Sequence, residues 1–327
     1  MSANETPVKH IIKEYGSMFR FKTTTTALWA VLPILPMTAA NIVVVPCSIQ
    51  GKAEIAADDL IVTEAGTPKK IRAVRLENDL PITLGVLVDV SGSQGALIEE
   101  HRQLVQGFST GLLRPRDSAF LVTIATQVKL LGQRDGEIDT FTGAASRIDK
   151  KQVAGEPLGD PCKHAWWKNA CWGTAIWNSV YYSAKIRMKR ASGVKALLLL
   201  TDGQDRGSEH TLTDAIEAAQ EADTSVYAIR YPQDFRFIPD WLKHPPALGL
   251  KQLAEKTGGV MFDSEAGLQP LLDDLTSQLR SQYLVEYVSE LDSAAKLQVT
   301  VEASHPGLTV RARRPFRLPS PKACQKN

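Results

Sequence analysis

Three residues at alternate positions, Asp89, Ser91 and Ser93, stand in "ITLGVLVDVSGSQGALIEEHRQLVQGF" where an apolar run gives way to an amphipathic one. Carboxylate and hydroxyl oxygens are hard ligands, suited to Mg²⁺, Mn²⁺ or Ca²⁺. At a strand end, residues two apart point the same way, so the three oxygens converge if the chain stays extended as far as Ser93. Uncharged hydroxyls would leave a cation only partly neutralised and open to an incoming carboxylate. More oxygen-bearing residues recur at similar places. The all-apolar "VKALLLLTDG" ends in Thr201 and Asp202, and Thr174 follows Gly173 in "GTAIWNSV". D-x-S-x-S alone is weak, because it recurs by chance. With Thr174 and Asp202 added, a metal explains the set better than a polar strand end serving as a helix N-cap. Asp205, in "TDGQDRGSE", reads as a solvated loop residue or an N-cap. The segment "DGQDRGSEHT" lacks the ligand series and closing Glu of an EF-hand.

Buried strands and covering helices must hold these groups. "LGVLVDV" reads as a strand buried on both faces. "ALIEEHRQLVQGFSTGLL" carries Leu97, Ile98, His101, Leu104, Val105 and Phe108 at helical spacing. "SAFLVTIAT" and "QVKLLGQ" read as tightly joined strands, and "EIDTFTGAASRI" as a helix. "TAIWNSVYYSAKIRMKR", "TLTDAIEAAQEA", "LGLKQLAEKT" and "LQPLLDDLTSQLRSQ" read as further helices, interleaved with the strands "VKALLLLT", "SVYAIRY" and "GGVMFD". This alternation predicts a doubly wound, mainly parallel sheet with helices on both faces, a Rossmann-like α/β domain. Ligands of such sheets gather outside the carboxyl ends of the strands, where both polar clusters fall. The flanks alternate and turn often, as antiparallel strands do. Neither is long enough to make a stable sheet alone, so the two are expected to combine into one small β domain. The expected division is a leader at 1–40, β segments at 41–80 and 283–318, the α/β domain at 81–282 and a tail at 319–327.

"DVSGS", then "GTA", then "LLTDG" resemble, in order and spacing, the metal-ion-dependent adhesion site of the von Willebrand factor type A (VWA) domain. The resemblance implies that Asp89, Ser91, Ser93, Thr174 and Asp202 hold a divalent cation, some directly and some through water, with an acidic group of a protein ligand completing the coordination. Mg²⁺ is the cation expected first, with Mn²⁺ or Ca²⁺ as alternatives. The flanks, with "YAIRYP" and "SQYLVEYVSELDSAAKLQVTVEASHPGLTVRARRPF", look like the bacterial VWFA-related family of exported proteins.

The totals exclude little and agree with this. The 327 residues, 43% hydrophobic and 23% charged, suffice for a sizeable core. With 38 basic and 36 acidic residues the net charge is +2, so no basic field points to nucleic acid. Arg20 and Lys22, the apolar stretch Ala27–Met37 and the small residues Thr38, Ala39 and Ala40 have the order of a secretory signal, with translation starting at Met1 or Met18. The alternatives are an uncleaved anchor, or a disordered leader before a buried segment. No other long apolar run follows, so no stable membrane span is expected after cleavage. Four cysteines fit an exported protein. Cys162 and Cys171 in "DPCKHAWWKNACWG" are expected to pair; Cys47 and Cys324 pair if the chain ends meet, and three connectivities stay open. His164 stands alone, at no zinc spacing. Trp166, Trp167 and Trp172 crowd the same loop before Thr174, either as packing or as a recognition surface. Lys163, His164 and Lys168 beside them would suit an acidic partner, or form a solvated face. A P-loop, a G-x-S-x-G elbow and an H-E-x-x-H pair are all missing from the sequence. The expected function is therefore a non-catalytic, metal-dependent protein-binding module. Metal-assisted hydrolysis and a structural role in envelope assembly are the alternatives.

Overall fold

The computed structural model describes residues 41–77, 80–132, 138–149, 155–159, 173–231, 246–289, 296–297, 299–312 and 316–317. The first flank forms β1 (Asn41–Gln50), β2 (Leu60–Glu64), β3 (Thr67–Lys69) and β4 (Ile71–Glu77). The chain then enters the α/β region through β5 (Ile82–Asp89), α1 (Ile98–Gly107), β6 (Ser118–Ile124), β7 (Val128–Leu130), α2 (Ile138–Ala145) and β8 (Glu156–Pro157). There follow α3 (Ile176–Tyr182), β9 (Val194–Thr201), α4 (Leu212–Glu221), β10 (Ser225–Arg230), α5 (Pro246–Thr257), β11 (Met261–Asp263) and α6 (Leu268–Arg280).

The seven α/β strands lie side by side in the order β11-β10-β9-β5-β6-β7-β8. The pairs from β11 to β6 are parallel, and β7 and β8 close one edge antiparallel. Parallel strands covered on both faces need apolar residues at consecutive positions, as in Val86-Leu87-Val88 and Leu197–Leu200. Alternate side chains of β5 therefore enter different cores. Ile82, Leu84, Val86 and Val88 pack with α1, α2 and α6 through Leu104, Phe108, Phe141 and Leu275. Leu87 packs on the other face with Phe120, Leu197, Leu199 and helices α3, α4 and α5. Gly85 is small because a Cβ there would lie 2.4 Å from the Phe120 ring and 2.7 Å from Leu197. The doubly wound expectation holds. β8 is a short addition that the sequence pattern does not mark as a strand.

The second flank supplies β12 (Gln282–Ser289), β13 (Lys296–Leu297), β14 (Val299–Ala303), β15 (Thr309–Ala312) and β16 (Phe316–Arg317). One sheet runs β15-β1-β12-β4 and another β14-β2-β3, so each mixes strands from both flanks. The two sheets share a core of Val43, Val45, Cys47, Leu60, Val62, Tyr283, Val285, Tyr287, Val299 and Val301. Cys47 sits in that core as a free thiol among the described residues, and burial pushes its pKa up to about 12. Cys324 lies outside the described residues.

One ion pair ties the α/β region together where the chain enters and leaves it. Asp117, just before β6, accepts hydrogen bonds from the backbone N–H of Ile82 at 2.8 Å and of Arg114 at 2.7 Å. Arg280, the last residue of α6, pairs with the same carboxylate and donates to the Leu112 carbonyl at 2.7 Å. Ile82 opens β5, and β12 starts two residues after Arg280. Both partners are buried.

Candidate functional site

β5 and β9 are neighbours, with Val88 opposite Leu200, so Asp89 emerges beside Thr201 and Asp202. From this point β6 lies to one side of β5 and β9 to the other, the switch point at which such sheets open a crevice. Asp89 is fully buried. Its Oδ1 accepts the Ser91 N–H at 2.9 Å, and its Oδ2 accepts the Thr201 hydroxyl at 2.7 Å. The Thr201 hydroxyl in turn accepts the Gly203 N–H at 3.1 Å. The backbone does not stay extended to Ser93 as the sequence reading requires. Ser91 is extended, Gly92–Gln94 form a tight turn, and this turn brings Ser91 Oγ to 3.0 Å from Ser93 Oγ. Ser91 begins that turn without using its hydroxyl as a cap.

Asp202 is almost fully buried. One of its oxygens, Oδ1, accepts the Gln204 N–H at 2.9 Å, while Oδ2 is buried with no partner. Thr174 lies two residues before α3 rather than at its first turn. Its carbonyl accepts the N–H groups of Arg206 at 3.0 Å and Gly207 at 3.1 Å, and the next N–H, of Ala175, reaches the Ala125 carbonyl at 2.9 Å. These bonds hold Thr174 between the ends of β6 and β9. The approach requires Gly173, whose φ is +94° and whose Cβ would fall 2.7 Å from the Cβ of Arg206. Asp205 is neither solvated nor the cap of the helix that follows it. It is half-buried and caps α3 from across the loop, accepting the Trp177 N–H at 3.1 Å and the Ser208 hydroxyl at 2.5 Å. Asn178 Oδ1 completes the strap by accepting the N–H groups of Glu209 and His210.

Burial raises the Asp89 carboxyl to about 6; the hydrogen bonds from Ser91 and Thr201 oppose this, and the charge of Asp202 adds to it. Two buried acids, one with an orphaned oxygen, are costly unless a cation joins them. The donor set fits a hard divalent ion, since every donor is oxygen. Among the described residues no group of three or more His, Cys, Asp or Glu could hold a metal, so the set depends on its hydroxyls.

Sequence reasoning placed Thr201 in the polar cluster with Asp202 at the strand end but gave it no role in the cation site. Its hydroxyl is the only feature distinguishing it in shape from Val. Thr201→Val is expected to weaken Mg²⁺ binding about tenfold, because a hydrogen bond to a charged group is worth roughly 1.5–3 kcal/mol. Thr201→Ser should restore it. Calorimetric titration of the two variants checks this, and unchanged affinity in the Val variant would contradict it. Gln94 is a second residue the pattern did not flag: it is fully buried, with both amide atoms unpartnered. Trp166, Trp167, Trp172, Lys163, His164, Lys168, Cys162 and Cys171 lie outside the described residues, as does the 1–40 leader.

No family model and no curated protein matches the chain. Similar solved structures include proximal thread matrix protein 1 from the mussel byssus with a zinc-occupied MIDAS motif. It is 14% identical, with a TM-score of 0.46, over 66% of this chain and 50% of that one. The chain thus spans about half the length of the mussel protein. BatB from Bacteroides thetaiotaomicron is 13% identical, with a TM-score of 0.45, over 61% of this chain and 100% of that one. A von Willebrand factor type A protein from Catenulispora acidiphila is 11% identical, with a TM-score of 0.44, over 88% of this chain and 76% of that one. The α/β region is a doubly wound, mainly parallel sheet with helices on both faces. Within this region, Asp89, Ser91 and Ser93 lie at and just beyond the carboxyl end of β5, Asp202 just beyond that of β9, and Thr174 on the segment before α3 that meets the end of β6 through the Ala175 N–H. Among the described residues no helix is long and apolar enough to cross a membrane.

Proposed function

We propose that the protein is a metal-ion-dependent binding module, in which Asp89, Ser91, Ser93, Thr174 and Asp202 hold one divalent cation and an acidic side chain of a protein partner completes its coordination. The observation that carries this reading is the buried, unpartnered Oδ2 of Asp202 beside the buried Asp89, with the Ser91 and Ser93 hydroxyls drawn together at the same strand end. When bound, the cation would supply Lewis acidity toward a carboxylate and neutralise the two acids. The chain's own residues do the positioning. Thr201 and the Ser91 N–H fix the Asp89 carboxylate, the Gln204 N–H fixes Asp202, and the Arg206 and Gly207 N–H groups hold the Thr174 backbone.

The module is read as a binder rather than a catalyst. A metal hydrolase places a general base beside the metal-bound water. Here Asp89 is engaged through both oxygens by Ser91 and Thr201, and Asp202 through one by Gln204. The reading extends to an exported protein, with cleavage near Ala40 or an uncleaved anchor, acting in the periplasm, at the cell surface or outside the cell. The Cys162–Cys171 bridge and the tryptophans it would tether belong to the same proposal, as a wall of the ligand surface. An immobilised peptide carrying Asp or Glu should retain the protein in Mg²⁺ and release it in EDTA. The same peptide with Asn or Gln should not retain it, and Ser91→Ala should reduce retention. Retention that is indifferent to both EDTA and the acid would refute the mechanism.

A further inference from the structure

A cavity of about 620 Å³ opens at the amino ends of β5 and β6, the end of the sheet opposite the cation site. Thr83, at its lip, is separated from Asp89 along β5 by about 20 Å of strand. The cavity's volume is in the range of small-molecule sites, roughly 300–1,000 Å³. Its walls divide into two chemistries. Phe120, Leu130, Pro157, Leu158 and Ile186 make an apolar bed. Arg187 and Arg190, from the turns that extend α3, stand with Thr83, Ser118 and Ser192 on the polar side.

The charges point to the sign of the occupant. The Arg187 guanidinium lies 5.4 Å from the centroid of the Phe120 ring, so its plane continues the apolar bed into a cationic patch. Glu156 and Arg187 each already take part in an interaction of their own. Arg190 is exposed at the rim and, among the described residues, has no ion-pair or hydrogen-bond partner. A guanidinium offers a planar fork of N–H donors that matches a carboxylate in bidentate fashion.

We infer that this cavity is a binding site for a small amphipathic monocarboxylate, whose acid group pairs with Arg190 and whose apolar body lies on Phe120, Leu130 and Leu158. The site is independent of the cation site and does not rest on the function proposed above. Pro157, Leu158 and Gly159 reach it on the short segment that includes β8. Gly159 has a φ of +85°, and a Cβ there would lie 2.5 Å from the Tyr182 ring, so its backbone is seated directly on α3.

Isothermal titration of the full chain with octanoate, and with octan-1-ol as the uncharged probe of the same length, tests the assignment. Octanoate is expected to bind saturably at one site per chain, about tenfold more tightly than octan-1-ol, as a charge-assisted pair would give. Arg190→Gln, at an exposed position that does not bear on folding, should bring octanoate down to the level of octan-1-ol and leave octan-1-ol unchanged. Ile186→Trp, at the exposed mouth, should weaken both probes. EDTA should alter neither, which separates this site from the cation site. Absence of saturable octanoate binding, equal affinity for the two probes, or undiminished octanoate binding by Arg190→Gln would each overturn the inference.

Discussion

Asp117→Ala is expected to destabilise the protein by about 3–5 kcal/mol, the cost of leaving a buried charge without its partner. The variant strands the Arg280 guanidinium, which is only 8% exposed, and removes the acceptor of the Ile82 and Arg114 N–H groups. The damage falls where the chain passes between the β flanks and the α/β region, so unfolding should start there. Arg280→Met removes one charge but leaves Asp117 its two N–H donors, and should cost less. Acid should produce the same loss in the unmodified protein. Burial raises the Asp117 carboxyl, but the Arg280 guanidinium and the two N–H groups outweigh it and hold its pKa below the usual range. A lowered folded-state pKa gives stability that is present above the ordinary carboxylate range and lost as pH falls through the folded value. Urea unfolding of both variants near neutral pH measures the difference. Equal stability of Asp117→Ala and the unmodified chain would show that the pair holds nothing.

Asp89→Asn should act in opposite directions with and without a divalent cation. Burial raises the Asp89 acid to about 6 in the cation-free protein, so keeping it ionised at neutral pH costs about 1–3 kcal/mol. The sign follows from linkage. A raised folded-state pKa gives stability that is full below the unfolded value and lost as pH rises through about 6. In EDTA the unmodified protein should therefore weaken between about pH 4 and pH 7, by about 2 kcal/mol, while Asp89→Asn should not. In Mg²⁺ at a hundred times its dissociation constant, the unmodified protein should gain about 2.7 kcal/mol, and the variant little or nothing. Thermal unfolding across pH, in EDTA and in Mg²⁺, reads both effects. A variant less stable than the parent in EDTA at neutral pH would show that the acid is not a burden in the cation-free fold.

The parallel strands were legible because burial on both faces leaves a continuous apolar signature, and Leu84–Val88 and Ala196–Leu200 carry it plainly. The position of Asp89 and Asp202 at strand ends followed from where those runs stop. The local route of the chain was not legible. Ser91 and Ser93 approach through a turn at Gly92–Gln94, and side-chain alternation carries no information about such a turn. Asp205 was misread because its N–H partner belongs to α3, 28 positions earlier, and capping from a distant segment leaves no local pattern. Thr201 was legible as a polar residue at a strand end, but its bond to Asp89 was not, because that partner comes from the neighbouring strand 112 positions away. Nor does the sequence show that Arg280 meets Asp117, 163 positions away, since a buried ion pair depends on the packing of α6 against the segment between α1 and β6.

Titration of Mg²⁺ or Mn²⁺ into the purified protein and into Asp89→Ala tests the central claim most directly. The account predicts a single saturable site per chain in the unmodified protein and no measurable binding by the variant. The variant's near-ultraviolet circular dichroism should stay native, because Asp89 is the last residue of β5 and the apolar positions of the strand are unchanged. Equal affinity of the two proteins for the cation would contradict it.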